Sequence, residues 1–247
     1  MFAGHTRAVV RRSRDGRTYA KTGSGPVREE LCDERDRLLW LATTDLPAPA
    51  VLDWADDGET ATLTTAAVPG VPLSDLPPAA TGDGVRALGT FLGRLHAMEH
   101  DACPFQRWLA VTVPLARVNV DEGRVEEQDF DQDRAGCTAA TLLEELLARR
   151  PRAEELELGD LVVCHGDACL PNVLVDTDSL EVTGMVDVGR LGVADRHLDL
   201  ALAARSVTDT TLNPAYGPDA ADAMLAAYGL SADPWRLDFY RLLDEFF

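Results

Sequence analysis

The sequence predicts an α+β fold built as two lobes, a strand-rich start of about 64 residues followed by a mainly helical remainder. Three observations carry this reading. Strand-like runs cluster early, at Arg7–Val10, Arg17–Lys21, Val51–Trp54 and Thr60–Thr64. Beyond Pro72 the apolar spacing turns helical. The chain has 247 residues and is 46% hydrophobic, enough to bury a full core as one large domain or two lobes.

Taken in order, the elements each have a local reason. Val27–Thr43 is expected to be an amphipathic helix, with Leu31, Leu38 and Leu41 on one stripe. Glu34 sits on that same stripe, and a carboxylate on an inward face is costly unless paired. Glu29, Glu30 and Asp36 are better placed for water. The strands at 51–54 and 60–64 follow, then a connector at Thr65–Gly70. Pro77-Pro78 and Thr81-Gly82-Asp83-Gly84 read as a loop. Val85–Met98 reads as a helix on Leu88, Leu92 and Leu95, Thr138–Arg149 shows a similar pattern, and a last helix runs to the end. Trp40, Trp54, Trp108 and Trp235 lie on apolar patterns, so core packing is their default role. No internal repeat or low-complexity tract is present.

Composition narrows the function. The net charge of −19 argues against a nucleic-acid partner. It suits a cationic ligand steered into an acidic cleft, or an acidic surface kept for solubility. The acidic residues concentrate at Asp121–Asp133 and at Asp244-Glu245. No run is long enough to span a bilayer and no apolar leader precedes the first strand, so no membrane partner is expected. Five cysteines without C-x-x-C spacing point to reduced thiols in a cytoplasm. Lys21 is the single lysine among 23 basic residues. A position that keeps a compact ammonium where arginine serves everywhere else is one where geometry matters, not charge alone.

The richest stretch is Val162–Ala203. One apolar run delivers a loop with His165, Asp167 and Asn172, and a second delivers Asp187. Phosphoryl transfer needs a carboxylate at the acceptor hydroxyl, and an amide oxygen and another carboxylate to hold Mg²⁺ on nucleotide phosphates. Asp167, Asn172 and Asp187 are the right types in the right order. A rival reading takes His165 and Asp167 with Asp195, His197 and Asp199 as ligands of a hydrolase metal. Asn172, Arg190 and Arg196 fit that cage poorly.

HGDxCxPN followed by DxGRxGxADRxxDxAL resembles the aminoglycoside O-phosphotransferases, small-molecule kinases related to the eukaryotic protein kinases. The resemblance covers roughly the whole chain, strongly from about Asp121 onward, and includes the YRLLDEFF ending. It implies a bilobal protein-kinase-like fold with an antiparallel-sheet N-terminal lobe, short at its start, over residues 1–64, a hinge at 65–70 and a catalytic lobe at 71–247. It implies ATP and Mg²⁺, with Lys21 on the α- and β-phosphates, Glu34 pairing Lys21, and Ala66 and Val68 meeting the adenine. Asp167 would serve as the catalytic base, Asn172 and Asp187 would hold the metal, and Arg190 would lie near the phosphates or brace the loop. The phosphate-covering loop would fall near Gly4-His5-Thr6-Arg7, with Thr6 facing the nucleotide; either the first strand is short or the natural start lies further upstream.

The resemblance is closest to the 3′-phosphotransferases acting on kanamycin and neomycin. It then implies that Asp129, Asp131, Asp133, Asp244, Glu245 and the Phe247 carboxylate bind substrate ammonium groups. The N-terminal half, with DERDRLLWL and AVPGVPL, also resembles the streptomycin 3″-phosphotransferases. A macrolide or other small-alcohol kinase, and a catalytically dead nucleotide- or drug-binding module, are the remaining alternatives. The expected assembly is a monomer or weak dimer.

Overall fold

The computed structural model describes residues 8–247. An antiparallel sheet opens the chain, formed by β1 (Val9–Arg12), β2 (Thr18–Ser24), β3 (Val51–Asp56) and β4 (Thr60–Ala66) in the spatial order β1-β2-β4-β3. Lys21 falls in the middle of β2, opposite Leu63, and not at the end of the strand-like run Arg17–Lys21 as expected. Between β2 and β3 runs α1 (Pro26–Leu41), started by Pro26 at its first position, where a missing N–H costs nothing. Its buried face is Val27, Leu31, Glu34, Arg37, Leu38 and Leu41, so two charged groups share the apolar stripe.

The C-terminal lobe begins at β5 (Val71–Pro72) and α2 (Thr81–His96). The Thr81–Gly84 stretch expected as loop is instead the first turn of α2. Leu76 and Leu73 pack against Gly84 there, and burial outweighs two glycines' poor helix propensity. Next come α3 (Leu109–Asp121) and α4 (Ala139–Glu157). The first carries Pro114 inside it and was not legible as a helix; the second continues past Pro151 where the sequence pattern stopped. Strands β6 (Leu161–Cys164), β7 (Val173–Val175), β8 (Val182–Met185) and β9 (Gly192–Asp195) follow, forming a β5-β7-β8 sheet and a β6-β9 pair. Helices α5 (His197–Thr208), α6 (Ala220–Tyr228) and α7 (Pro234–Asp244) close the chain. Gly89 lets α2 and α6 touch backbone to backbone, since a Cβ there would overlap the Met224 carbonyl.

Two cores result. One joins α1 and β4 to α2, β7, β8 and α6 through Leu31, Leu38, Leu63, Leu92, Met185 and Met224. The other joins α3, α4, α5 and α7 through Leu109, Leu146, Leu202, Phe239 and Phe246. Trp40, Trp54 and Trp235 are half-buried and pack against the two cores, the role expected of them; Trp54 lies under Arg35 and Trp235 under Arg152, each a cation against an indole face.

Candidate active site

The site lies between β2 and α1 on one side and the segments that follow β6 and β8 on the other. Glu34, about two turns into α1 on its buried face, meets Lys21 from β2 with both carboxylate oxygens, at 2.7 and 2.8 Å from Nζ. The same ammonium reaches Asp187 Oδ1 at 3.1 Å, across 166 residues of sequence. Burial opposes the charge on Lys21, but Glu34 and Asp187 together hold its ammonium above the ordinary lysine value. Burial pushes the Glu34 carboxyl up, and the lysine beside it offsets part of that. Asp187 takes a left-handed backbone, φ 59°, which costs energy in a non-glycine residue and turns its carboxylate out of the core.

The loop after β6 supplies the other groups. Asn172 donates from Nδ2 to the Asp167 carbonyl and to Asp167 Oδ2, both at 3.0 Å. Among the described residues no group donates to its Oδ1. His165 is fully buried and braces the loop. Its Nδ1 accepts from the Asp167 N–H at 3.2 Å, so Nε2 carries the proton and donates to the Val186 carbonyl at 3.0 Å. Gly166 has φ +85°, and a Cβ there would overlap the Arg190 carbonyl, so the loop and the segment after Asp187 meet only through glycine.

Asp195, His197 and Asp199 are not free for a hydrolase metal. Asp199 accepts from the His165 and Gly166 N–H groups at 2.7 and 2.8 Å and from His96 Nε2 at 3.1 Å. His96 Nδ1 in turn meets Tyr228 Oη at 2.9 Å. Burial opposes the charge on Asp199, yet these donors hold its carboxyl below the ordinary range. Asp195 is bonded by His197 and Arg236. His96, Cys164 and Asp199 are the one metal-like group of side chains among the described residues, and both Asp199 oxygens in it are already used by backbone donors. His96 is the partner that sequence reasoning missed; Asp199 was read there only as a rival metal ligand, and the structure makes it the brace of the His165–Gly166 turn.

At the connector, the Ala66 N–H is spent on the Ala50 carbonyl at 2.9 Å, so Ala66 offers only its carbonyl to a ligand. Among the described residues no group accepts the Val68 N–H. Gly184 lies beneath, where a Cβ would press on Val68 at 2.6 Å. Thr6 lies outside the described residues.

The acidic residues expected to bind substrate are divided by the structure. Glu245 is a correction: its side chain is buried, accepts from the Asp131 N–H and faces Arg134 at 3.5 Å, so it ties the 131 loop to α7. Burial pushes its carboxyl up to about 7. Asp131 pairs with Arg241 and Arg205, and Asp133 with Arg241, so neither is a free carboxylate. Asp244 is shared by Arg190 at 3.1 Å and Arg205 at 2.6 Å. Asp129 is exposed, with no charged partner among the described residues. Arg190 faces Asp244 and the Phe247 ring, and so is held by the C-terminal residues and not by the Lys21 group. Arg107, which sequence reasoning missed, also lies against the Phe247 ring, at 5.2 Å from its centroid, beside a Gly192 that gives it room. Burial and the nearby Arg190 push Arg107 down to about 10.

Residues 3–240 match the phosphotransferase enzyme family, APH. The chain belongs to this family. As a phosphotransferase-family member it is 44% identical to an aminoglycoside 3′-phosphotransferase of Streptomyces fradiae, over 88% of this chain and 80% of that one. It is 38% identical to a streptomycin 3″-kinase of Streptomyces griseus, over 98% and 89%. Among solved structures, the aminoglycoside-3′-phosphotransferase of type VIII superposes with a TM-score of 0.89 at 42% identity, covering 100% of this chain and 91% of that one. The phosphotransferase APH(3″)-Id of Streptomyces rimosus superposes at 0.90 with 33% identity, covering 99% and 91%. The bilobal arrangement of an antiparallel-sheet lobe over a helical lobe is therefore the family's fold, as the motif implied. No helix among the described residues is long and apolar enough to cross a membrane.

Proposed function

We propose that the protein is an ATP-dependent aminoglycoside O-phosphotransferase acting on the 3′-hydroxyl of kanamycin- and neomycin-type drugs, and that it thereby confers resistance. The observation that carries this is the Lys21–Glu34–Asp187 ion chain across the cleft, facing Asp167 and Asn172 on one loop. Similarity to 3′-phosphotransferases at 44% and 40% identity supports the choice of acceptor.

The donor set suits the nucleotide and metal. Asp187 turns an exposed carboxylate toward the cleft, and Asn172 keeps its amide oxygen unspent, which is the hard oxygen pairing Mg²⁺ takes. Bound Mg²⁺ would offset negative charge on the phosphates. Lys21, oriented by Glu34, binds the α- and β-phosphates. The Ala66 carbonyl and the unpaired Val68 N–H form the adenine edge. Asp167 accepts the proton of the drug hydroxyl, or orients it, as the phosphoryl group transfers. Asn172 holds that carboxylate in place through Oδ2. Asp129, Asp244 and Phe247 form the drug wall, with Arg190 and Arg205 setting the position of Asp244. The reaction's need for ATP and the five free thiols fit a cytoplasmic enzyme.

A second reading, a streptomycin 3″-phosphotransferase, is favoured by the fit to a 3″-enzyme over 99% of the chain. A coupled ADP-release assay with kanamycin, neomycin, streptomycin and no acceptor separates the two. Turnover with kanamycin and not streptomycin supports the 3′ reading; the reverse selects the second. Nucleotide binding without turnover of any acceptor would mark a binding module.

A further inference from the structure

We infer that Arg37 is a positioning residue for the nucleotide site: it locks α1 to the segment that follows Asp187 and so holds Lys21, Glu34 and Asp187 in register. The inference rests on the reading of that trio as the nucleotide site.

Arg37 lies three residues after Glu34, so the two share a face of α1 about one turn apart. Glu34 reaches the Asp187 end of the segment through Lys21. Arg37 reaches its other end, donating from Nε to the Leu191 carbonyl at 2.7 Å. Between these two tie points the turn at Val188–Arg190 lies along the helix, close enough that a Cβ added at Gly189 would reach van der Waals contact with the Glu30 carbonyl and the Glu34 Cβ at 3.8 Å. One helix face therefore meets one segment at both ends, with Asp187 fixed at the first.

The guanidinium is shaped for this place. It is buried, and its carboxylate partner, Asp33, is mostly exposed. It also donates from Nη1 to the Asp33 carbonyl at 3.0 Å; a buried charge needs such partners, and a simple core position would be filled by an apolar residue. It lies over the Phe105 ring at 4.7 Å. Phe105 is itself fixed, accepting from the Val193 N–H at 2.8 Å. Trp40, one turn further along α1, meets the Phe105 ring edge-on and donates to the Ala102 carbonyl at 3.2 Å. The helix is thus anchored to the lower lobe along one line, and Arg37 is the anchor nearest the Lys21–Glu34 pair.

Lysine cannot replace it. A single ammonium cannot both stack flat on Phe105 and send a donor sideways to Leu191.

The test compares wild type, Arg37→Met and Arg37→Lys by thermal unfolding, by calorimetric binding of Mg·ADP and of kanamycin, and by steady-state kinetics. Arg37→Met should weaken Mg·ADP binding and raise the ATP KM about tenfold, with kcat falling, while kanamycin affinity stays within about twofold. Arg37→Lys should recover thermal stability better than it recovers ATP affinity. If Arg37→Met lowers the unfolding temperature yet binds Mg·ADP like wild type, the residue is a structural staple and the inference fails. Equal losses of both ligands overturn it as well. Should Arg37→Met not fold, Phe105→Leu loosens the same guanidinium and must shift Mg·ADP affinity in the same direction; no shift there overturns the role. A wild type that binds no Mg·ADP would sink the functional reading along with it, so the two failures are distinguishable.

Discussion

At the scale of single residues, the chemistry rests on groups whose neighbours hold them in one state. Asp167 is steadied by Asn172 and by the His165 ring beneath its N–H, so changing its charge without its shape isolates its chemical role. Asp167→Asn is expected to lower kcat by at least about 10²-fold, the lower end of general-base contributions, with Mg·ADP binding near normal by calorimetry. Wild-type turnover in this variant would remove Asp167 from the mechanism. Lys21 offers a second test. Its Nζ contacts Glu34 and Asp187 within 3.1 Å, a geometry for a point charge and not for a planar fork. Lys21→Arg should keep the fold, by circular dichroism, and lose about 10-fold or more in kcat/KM for ATP. The Lys21–Glu34 pairing was legible because the chain has one lysine and an inward-facing glutamate. The burial of Glu245 was not, because no local pattern reports that the Asp131 N–H needs an acceptor.

At the scale of elements, helix ends and loop anchors decide how the site is carried. Glu157, at the end of α4, accepts from the Leu109 N–H at 2.9 Å and caps the start of α3. Burial raises its carboxyl from the usual value near 4.5 to about 7. A carboxyl raised on folding contributes stability that is fully present below about 4.5 and is lost as pH rises through about 7. Wild-type melting temperature should therefore fall between about pH 5 and pH 8, through this group and through Glu245 in the same window. Glu157→Gln keeps an acceptor for Leu109 and should remove roughly half of that fall, since two groups share it. A variant with the full wild-type slope, measured by calorimetry across the range, would show that Glu157 does not titrate there. Helices on a clear apolar period, such as α1 and α2, were legible in outline. Helix α3 and the second half of α4 were not, because Pro114 and Pro151 break the local signal while packing along Leu109, Val113 and Ala153 sustains the helix.

At the scale of the whole molecule, net charge of −19 meets a polycationic substrate class. Much of that charge near the terminal wall is already paired: Arg134, Arg190, Arg205 and Arg241 neutralise Asp131, Asp133 and Asp244. Attraction for the drug therefore comes from the overall field more than from a cluster of bare carboxylates. Such a field is screened over about 8–10 Å at physiological salt. Raising ionic strength from about 0.05 to about 0.5 M should raise the kanamycin KM several-fold and leave the ATP KM flat or lower, as read from initial rates at fixed Mg²⁺. A kanamycin KM indifferent to salt would assign recognition to short, desolvated contacts instead.

The sequence by itself determined the family, because the motif from His165 to Asp199 keeps Asp167, Asn172 and Asp187 and the groups that brace them close along the chain. It also determined the strand-rich start and the helical remainder, since periods of two and of 3.6 are local properties. Only the tertiary structure decided which acids are free. Asp131, Asp133 and Asp244 read identically to Asp129 in the sequence, yet arginines from α5 and α7 claim three of them. It also decided that Arg37 meets Leu191, 154 residues away, because a guanidinium's partner depends on what the fold brings within 3 Å and not on its neighbours in the chain.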